Sequence, residues 1–348
     1  VSDQTVFSGA HAAVGGGAPA TPEQGISTRG RDIALRPPRS LLVAAGAWVL
    51  AGAVTLLWPN IQQFARTSDL AVAQWIIASL FVVAYGVYPR LGKVGRWFGV
   101  NAPRLAGLAA VLSVWQIASA KIGLWPQPYI PPPQGVLDAY ITDYKRLLDS
   151  IGSSLLLLVT GVVIGGLAGF VTGLATGWTS RVGYWTNPVL RLIGPIPATA
   201  LIPIALFLFP TSFSASVFLV ALATWFPVAV LTWSGVSSID SSYYDVARTL
   251  GARERFLLLK IAIPGSLPHV FVGLFMALGS AISVLVVAEM VGVKSGLGYY
   301  LDWSQGWAAY GHMFGGLLVM AVLFSSLTTL LFRTRDRLLV GQKGDVQW

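Results

Sequence analysis

The chain has 348 residues, 55% of them hydrophobic and only 11% charged, with a mean hydropathy of +0.68. A soluble domain must cover itself with polar surface, so this balance excludes one and makes lipid the solvent. The net charge of +9 then records Lys and Arg held in cytoplasmic loops rather than a nucleic-acid footprint, and the lack of Cys excludes disulfides, thiolate metal sites and cysteine nucleophiles.

Residues 1–40 open on a small, polar, Gly/Pro-rich stretch without the apolar centre of a signal peptide, which predicts a disordered cytoplasmic tail. Apolar runs occupy 41–59, 71–88, 105–122, 152–178, 186–209, 213–237, 268–292 and 312–332. Each approaches the roughly 20 residues that cross about 30 Å of hydrocarbon. An all-α polytopic membrane bundle of about eight transmembrane helices is the expectation, with both ends on one side. In that arrangement eighteen of the 23 Lys and Arg fall on the side of the termini, leaving Arg66, Lys121, Lys145, Arg146 and Lys294 opposite. The positive-inside bias therefore predicts N-in and C-in.

The fourth span carries Gly161, Gly165, Gly169, Gly173 and Gly177 at strict i+4 spacing, a helix face bare enough for another backbone to approach. The fifth contains Pro188, Pro195, Pro197, Pro203 and Pro210, so a kinked or broken helix is predicted there. Carbonyls freed at membrane depth need protein or a water-filled cavity, which makes Pro195 to Thr199, with Pro197 between them, a candidate pathway lining. Ser280, Ser283 and Glu289 are the other candidate polar path contacts, Glu289 being the one acid well inside a span. One carboxylate makes no proton relay. Trp225 and Phe226 read as packing or gate residues, and His11, His269 and His312 show no metal-ligand spacing. No GxxxxGK[ST] motif occurs, so nucleotide is expected on another subunit.

Between the sixth and seventh spans lies SIDSSYYDVARTLGARERFLLLKIAIPGSLPH, too long and patterned for a simple turn. Ser242 and Asp245 fit a capping box, Gly251 interrupts the helix it starts, and Pro264 is expected to stop the helix after that, giving two short helices. Arg248, Arg253, Glu254, Arg255 and Lys260 among Ala247, Leu250, Phe256 and Leu257 make this an amphipathic element on the cytoplasmic face.

That segment resembles the EAA loop of binding-protein-dependent ABC transporter permeases. Asp245, Val246 and Ala247 stand at the E-A-A positions, Gly251 at the glycine, and Ile261 with Ile263-Pro264 at the terminal I-x-L-P. Asp245 and Val246 depart conservatively from the pattern. Four further blocks, WPQPYIPPPQGVLDAY, GPIPATALIPIALF, WFPVAVLTWSGVSSID and VAEMVGVKSGLGYYL, are most similar to the nitrate, sulfonate and taurine branch. The resemblance covers 104–337 and implies a six-span importer permease domain, with 41–103 an additional N-terminal hairpin and 338–348 a cytoplasmic tail. It further implies a bacterial plasma-membrane location, a second permease copy, cytoplasmic ATPase subunits holding ATP and Mg, and an extracytoplasmic binding protein touching loops near 123–150 and 294–311. The coupling loop would dock in an ATPase groove, and this chain would carry no cofactor. Two other readings are an outer-face membrane enzyme using Asp302, Trp303 and His312, and a proton-coupled carrier.

Overall fold

The computed structural model describes residues 37–126 and 128–339; the N-terminal stretch read as a tail, with His11, and the end of the C-terminal tail lie outside the described residues. Those residues form thirteen α-helices and contain no strand. Seven helical stretches are long and apolar enough to cross a bilayer, and a bent pair, Ser180–Ile193 with Ala198–Leu208, passes the same test only when taken together, which gives seven spans or eight if the pair counts as one.

α1 (Ser40–Leu57) and α2 (Thr67–Gly86) form the hairpin and pack on α3 (Gly92–Gln116), which continues through a widened turn at Ile117–Lys121. Leu41, Trp48, Phe81 and Ala109 belong to the core the three share, separate from that of the main bundle. Buried polar groups stitch it together: Thr55 Oγ donates to Gln74 Oε1 at 2.9 Å, and Lys121, 6% exposed, donates its ammonium to the Thr55 carbonyl at 2.8 Å and to that of Trp58. A cation at a helix C-terminus meets the carbonyls that have no partner inside the helix. The division expected at 103/104 falls inside α3, so hairpin and core share a continuous helix.

The main bundle consists of α5 (Tyr144–Trp178), the pair α6 (Ser180–Ile193) and α7 (Ile202–Leu208), α8 (Ser212–Ser237), α11 (Ile263–Val291) and α13 (Tyr310–Leu338). Its central seam is set by the glycine stripe of α5, and the backbone that approaches is that of α8. A Cβ at Gly161 would meet Val220 Cγ1 at 2.5 Å, one at Gly169 the Trp225 carbonyl at 2.6 Å, and one at Gly177 Val236 Cβ at 2.7 Å; at Gly165 and Gly173 it would run into the carbonyls of Ala221 and Ala229. Dispersion packing replaces the hydrophobic effect between helices in lipid, so close backbone approach is what holds this pair. On its other side α8 meets α11, where Gly235 lies under His269 and Gly273 against Val228. Leu158, Ile202, Leu219 and Leu285 fill the space where α5, α7, α8 and α11 converge. Short helices α9 (Ser241–Thr249) and α10 (Glu254–Leu257) sit on the side rich in Lys and Arg, and α4 (Pro133–Thr142) and α12 (Leu297–Gly306) at the opposite end of the bundle.

Candidate functional site

The corner between α8 and α11 is built from a cap, a stop and a strut. Asp240 rather than Ser242 caps α9: its carboxylate accepts from the Ser242 backbone N–H at 2.8 Å, and that bond holds the carboxyl below the usual carboxylate range. The S-x-x-D signature is therefore corrected by two residues, because Asp240 is the side chain whose extended backbone turns it toward the open N–H groups. Gly251 ends α9 with φ +83°, a left-handed conformation that glycine adopts without Cβ strain. The Ala252 N–H reaches the Ala247 carbonyl and the Gly251 N–H that of Arg248, both at 2.9 Å, a Schellman stop. Arg248 bridges the corner, 3.8 Å from Asp245 and 3.4 Å from Glu254. Trp178 and Tyr244, with ring centroids 6.0 Å apart, tie α9 to the end of α5.

The second short helix does not end at Pro264. Glu254 to Val291 is one 38-residue helical stretch, and Ile263 N–H bonds the Leu258 carbonyl across a widened turn just before the proline. The ladder is already open there, so a residue without an N–H is accommodated at the start of α11. Leu250 is 83% exposed, and Tyr243, Val246 and Phe256 beside it are exposed as well. Asp245 and Gly251 are exposed, Ala247, Ile261 and Pro264 half-buried, so the corner is an apolar surface at the end of a long helical stretch.

The fifth span is broken as its prolines predict: α6 and the turn leading into α7 meet at 85° across Gly194-Pro195-Ile196-Pro197. Pro195 and Pro197 are exposed and Thr199 half-buried in the turn Ala198–Leu201. Trp225 donates its indole N–H to Thr172 Oγ at 3.1 Å, and Phe226 packs over Gly194, so both are packing residues of the break and its neighbours. Ser280 and Ser283 lie on an exposed face of α11, their hydroxyls returned to the carbonyls of Met276 and Gly279.

Glu289 does not join that face. It is 1% exposed, accepting from Ser154 Oγ at 2.7 Å and from the Gly298 N–H at 2.8 Å, while Ser154 Oγ accepts from the Leu297 N–H at 2.8 Å. The carboxylate thus ties α11 to α5 and to the first turn of α12, where an anionic side chain is favoured. Gly296 at φ +100° and Gly298 make room, since a Cβ on either would strike the Glu289 side chain. Sequence reasoning places Glu289 near the outer end of its span but misses Ser154 and α12; the paired glycines of SGLG were the available signal. The suggested outer-face enzyme constellation is not assembled: Asp302 is exposed, and His312 turns to Asp143 at 3.6 Å and Thr142 at 3.5 Å.

A family described as "Binding-protein-dependent transport system inner membrane component" matches residues 161–339. The taurine transport system permease protein of Escherichia coli is 29% identical over 247 residues, covering 69% of this chain and 89% of the relative. The putative aliphatic sulfonates transport permease protein of Bacillus subtilis is 26% identical over 238 residues, 67% of this chain and 84% of the relative. The nitrate import permease protein of Synechococcus elongatus is 29% identical over 243 residues, 66% and 84%. Because the matched half of the chain holds the glycine seam, the broken helix, the exposed corner at Gly251 and Glu289 with its α12 partner together, the chain belongs to the binding-protein-dependent inner-membrane permeases of ABC importers.

Proposed function

We propose that two copies of this chain enclose a path for a small anion of the nitrate, sulfonate or taurine type, opened and closed by ATP and Mg acting on separate cytoplasmic ATPase subunits. The chain is a multi-pass plasma-membrane transporter subunit rather than an enzyme, and its family works with an ATPase and an extracytoplasmic binding protein. The names of the taurine, sulfonate and nitrate relatives support the anion class.

The observation that carries the coupling mechanism is the continuous rod from Glu254 to Val291, which starts at the exposed corner of Leu250 and Gly251. At 1.5 Å per residue it spans about 57 Å, so a push at the corner is carried to the far face along one helical stretch, with the widened turn at Leu258–Ala262 and Pro268 as the places where it can flex. Asp245, Val246, Ala247 and Gly251 present the docking surface, while Ile261 and Pro264 set how the rod leaves it. Pro195, Pro197, Thr199, Ser280 and Ser283 border the solute path, and Glu289 supports its outer end from within the protomer. The charge bias favours N-in and C-in, with residues 41–103 a lateral addition to the transporting unit.

Co-purification from native membranes tests this reading. Wild type should retain an ATPase subunit; Leu250→Asp, at a side chain 83% exposed, should lose it while remaining folded, and Gly251→Asp should lose it through strain on the left-handed stop at φ +83° as well as through the added charge. Absence of any ATPase with gently solubilised wild type, or its retention by both variants, refutes the docking role.

A further inference from the structure

Two of the five cations opposite the Lys/Arg-rich side, Arg146 and Lys294, line one pocket of about 250 Å³ between the start of α5 and the α11–α12 connection. Its walls are Tyr299, Tyr300 and Trp303, and the Arg146 guanidinium lies 4.1 Å from the Trp303 ring centroid. Stacking on an aromatic face holds the guanidinium plane; one of its nitrogens lies 3.8 Å from Asp143, and the remaining N–H groups stay available at the edge. Several hydroxyls elsewhere in the spans bond the preceding turn, whereas those of Ser216 and Thr232 in α8 have no partner among the described residues. Thr160 and Thr172 return their hydroxyls to the carbonyl four residues back, both at 2.6 Å, as do Ser280 and Ser283. Ser150, only 7% exposed, and Ser153 have no hydrogen-bond partner among the described residues, although both line the pocket with Ser295. An unpartnered hydroxyl that opens on a polar cleft is free to meet a ligand or water there.

We propose that this pocket is an outer-mouth binding site for a small organic oxyanion, a sulfonate or carboxylate, held by Arg146 and Lys294 and by the hydroxyls of Ser150 and Ser153. The inference rests on the anion class proposed above. Planar and tetrahedral oxyanions take several N–H and O–H donors at once, which this set supplies. Asp149, the acid of the lining, would receive an ammonium on the same solute, so an amino-sulfonate fits better than a simple one. The position suits solute released at the outer face. Gly296 and Tyr300, which border the pocket, adjoin the Glu289 clamp, so occupancy is felt at the end of the rod that reaches the coupling corner.

The test uses the transporter with its ATPase in nanodiscs of zwitterionic lipid, without binding protein. Saturation-transfer NMR monitors methanesulfonate, taurine and the neutral methanesulfonamide. Saturable millimolar binding of the two sulfonates, tighter for taurine and absent for the sulfonamide, is expected. The double variant Lys294→Gln/Ser153→Ala should weaken it at least tenfold; neither side chain has a described partner, so folding is preserved. No saturable binding, or equal binding to the double variant, overturns the site. If either happens while the complete transporter still imports sulfonates, the anion-import reading stands and the pocket alone fails. If no oxyanion is imported with binding protein present, that reading fails by itself.

Discussion

Replacing Glu289 by Ala removes both hydrogen bonds of the outer clamp at once. Ser154 Oγ and the Gly298 N–H, 2.7 and 2.8 Å from the carboxylate, are left in a site that is 1% exposed. Two bonds to an acidic side chain contribute about 1.5–3 kcal/mol each, so the loss should come to about 4 kcal/mol. Glu289→Gln keeps one acceptor and turns its amide hydrogens toward the other donor, for a loss of about 2 kcal/mol. Ser154→Ala opens the same network from the other side, and the double variant should fall short of additivity by about 1–2 kcal/mol, as groups in one network do. Thermal inactivation of the full transporter in detergent reads these differences as rates, which suits a membrane protein that does not refold on cooling. ATPase stimulation by the binding protein is read in parallel, because loosening α12 from α11 should uncouple stimulation even at temperatures where the chain survives. Glu289→Ala inactivating at the wild-type rate with full stimulation, or strict additivity with Ser154→Ala, would refute the clamp.

At the central seam, Gly169→Val places a side chain 2.6 Å from the Trp225 carbonyl and should cost more than the about 1–3 kcal/mol of ordinary overpacking. Gly152→Ala, on the same helix but with nothing within 4 Å, should be neutral within about 0.5 kcal/mol; equal melting of the two in heated size-exclusion profiles would contradict the seam. Lys121→Met strips the ammonium from the carbonyls of Thr55 and Trp58, with an expected loss of about 3 kcal/mol confined to the hairpin. Faster protease cleavage between residues 58 and 66, with unchanged ATPase retention, is the sign to look for, and cleavage at the wild-type rate would show that Lys121 does not anchor α1.

The spans were legible because lipid makes hydropathy a direct readout of which residues leave water, and the break in the fifth span was legible because proline removes an N–H wherever it stands. Gly251 was equally readable: the corner needs a left-handed residue, and the neighbouring stop at Ala252 is set by backbone geometry within six residues. Local rules misplaced the cap by two positions, since both Asp240 and Ser242 are competent acceptors and only the backbone direction chooses between them. Pro264 misled for a similar reason, because the widened turn that accommodates it has no side-chain signature.

The sequence by itself determined what each residue can do alone or with near neighbours: enter lipid, bend a helix, expose a bare face, end a helix at Gly251. The tertiary structure decided which distant groups share a place. The glycine stripe found α8, Lys121 found the end of α1, and Glu289 found Ser154, 135 residues away. Arg146 and Lys294 came to line one pocket in the same manner. Hydrogen bonds and close packing reach only a few ångströms, so their partners are fixed by how long helices cross in space, and no local pattern in the chain records that crossing.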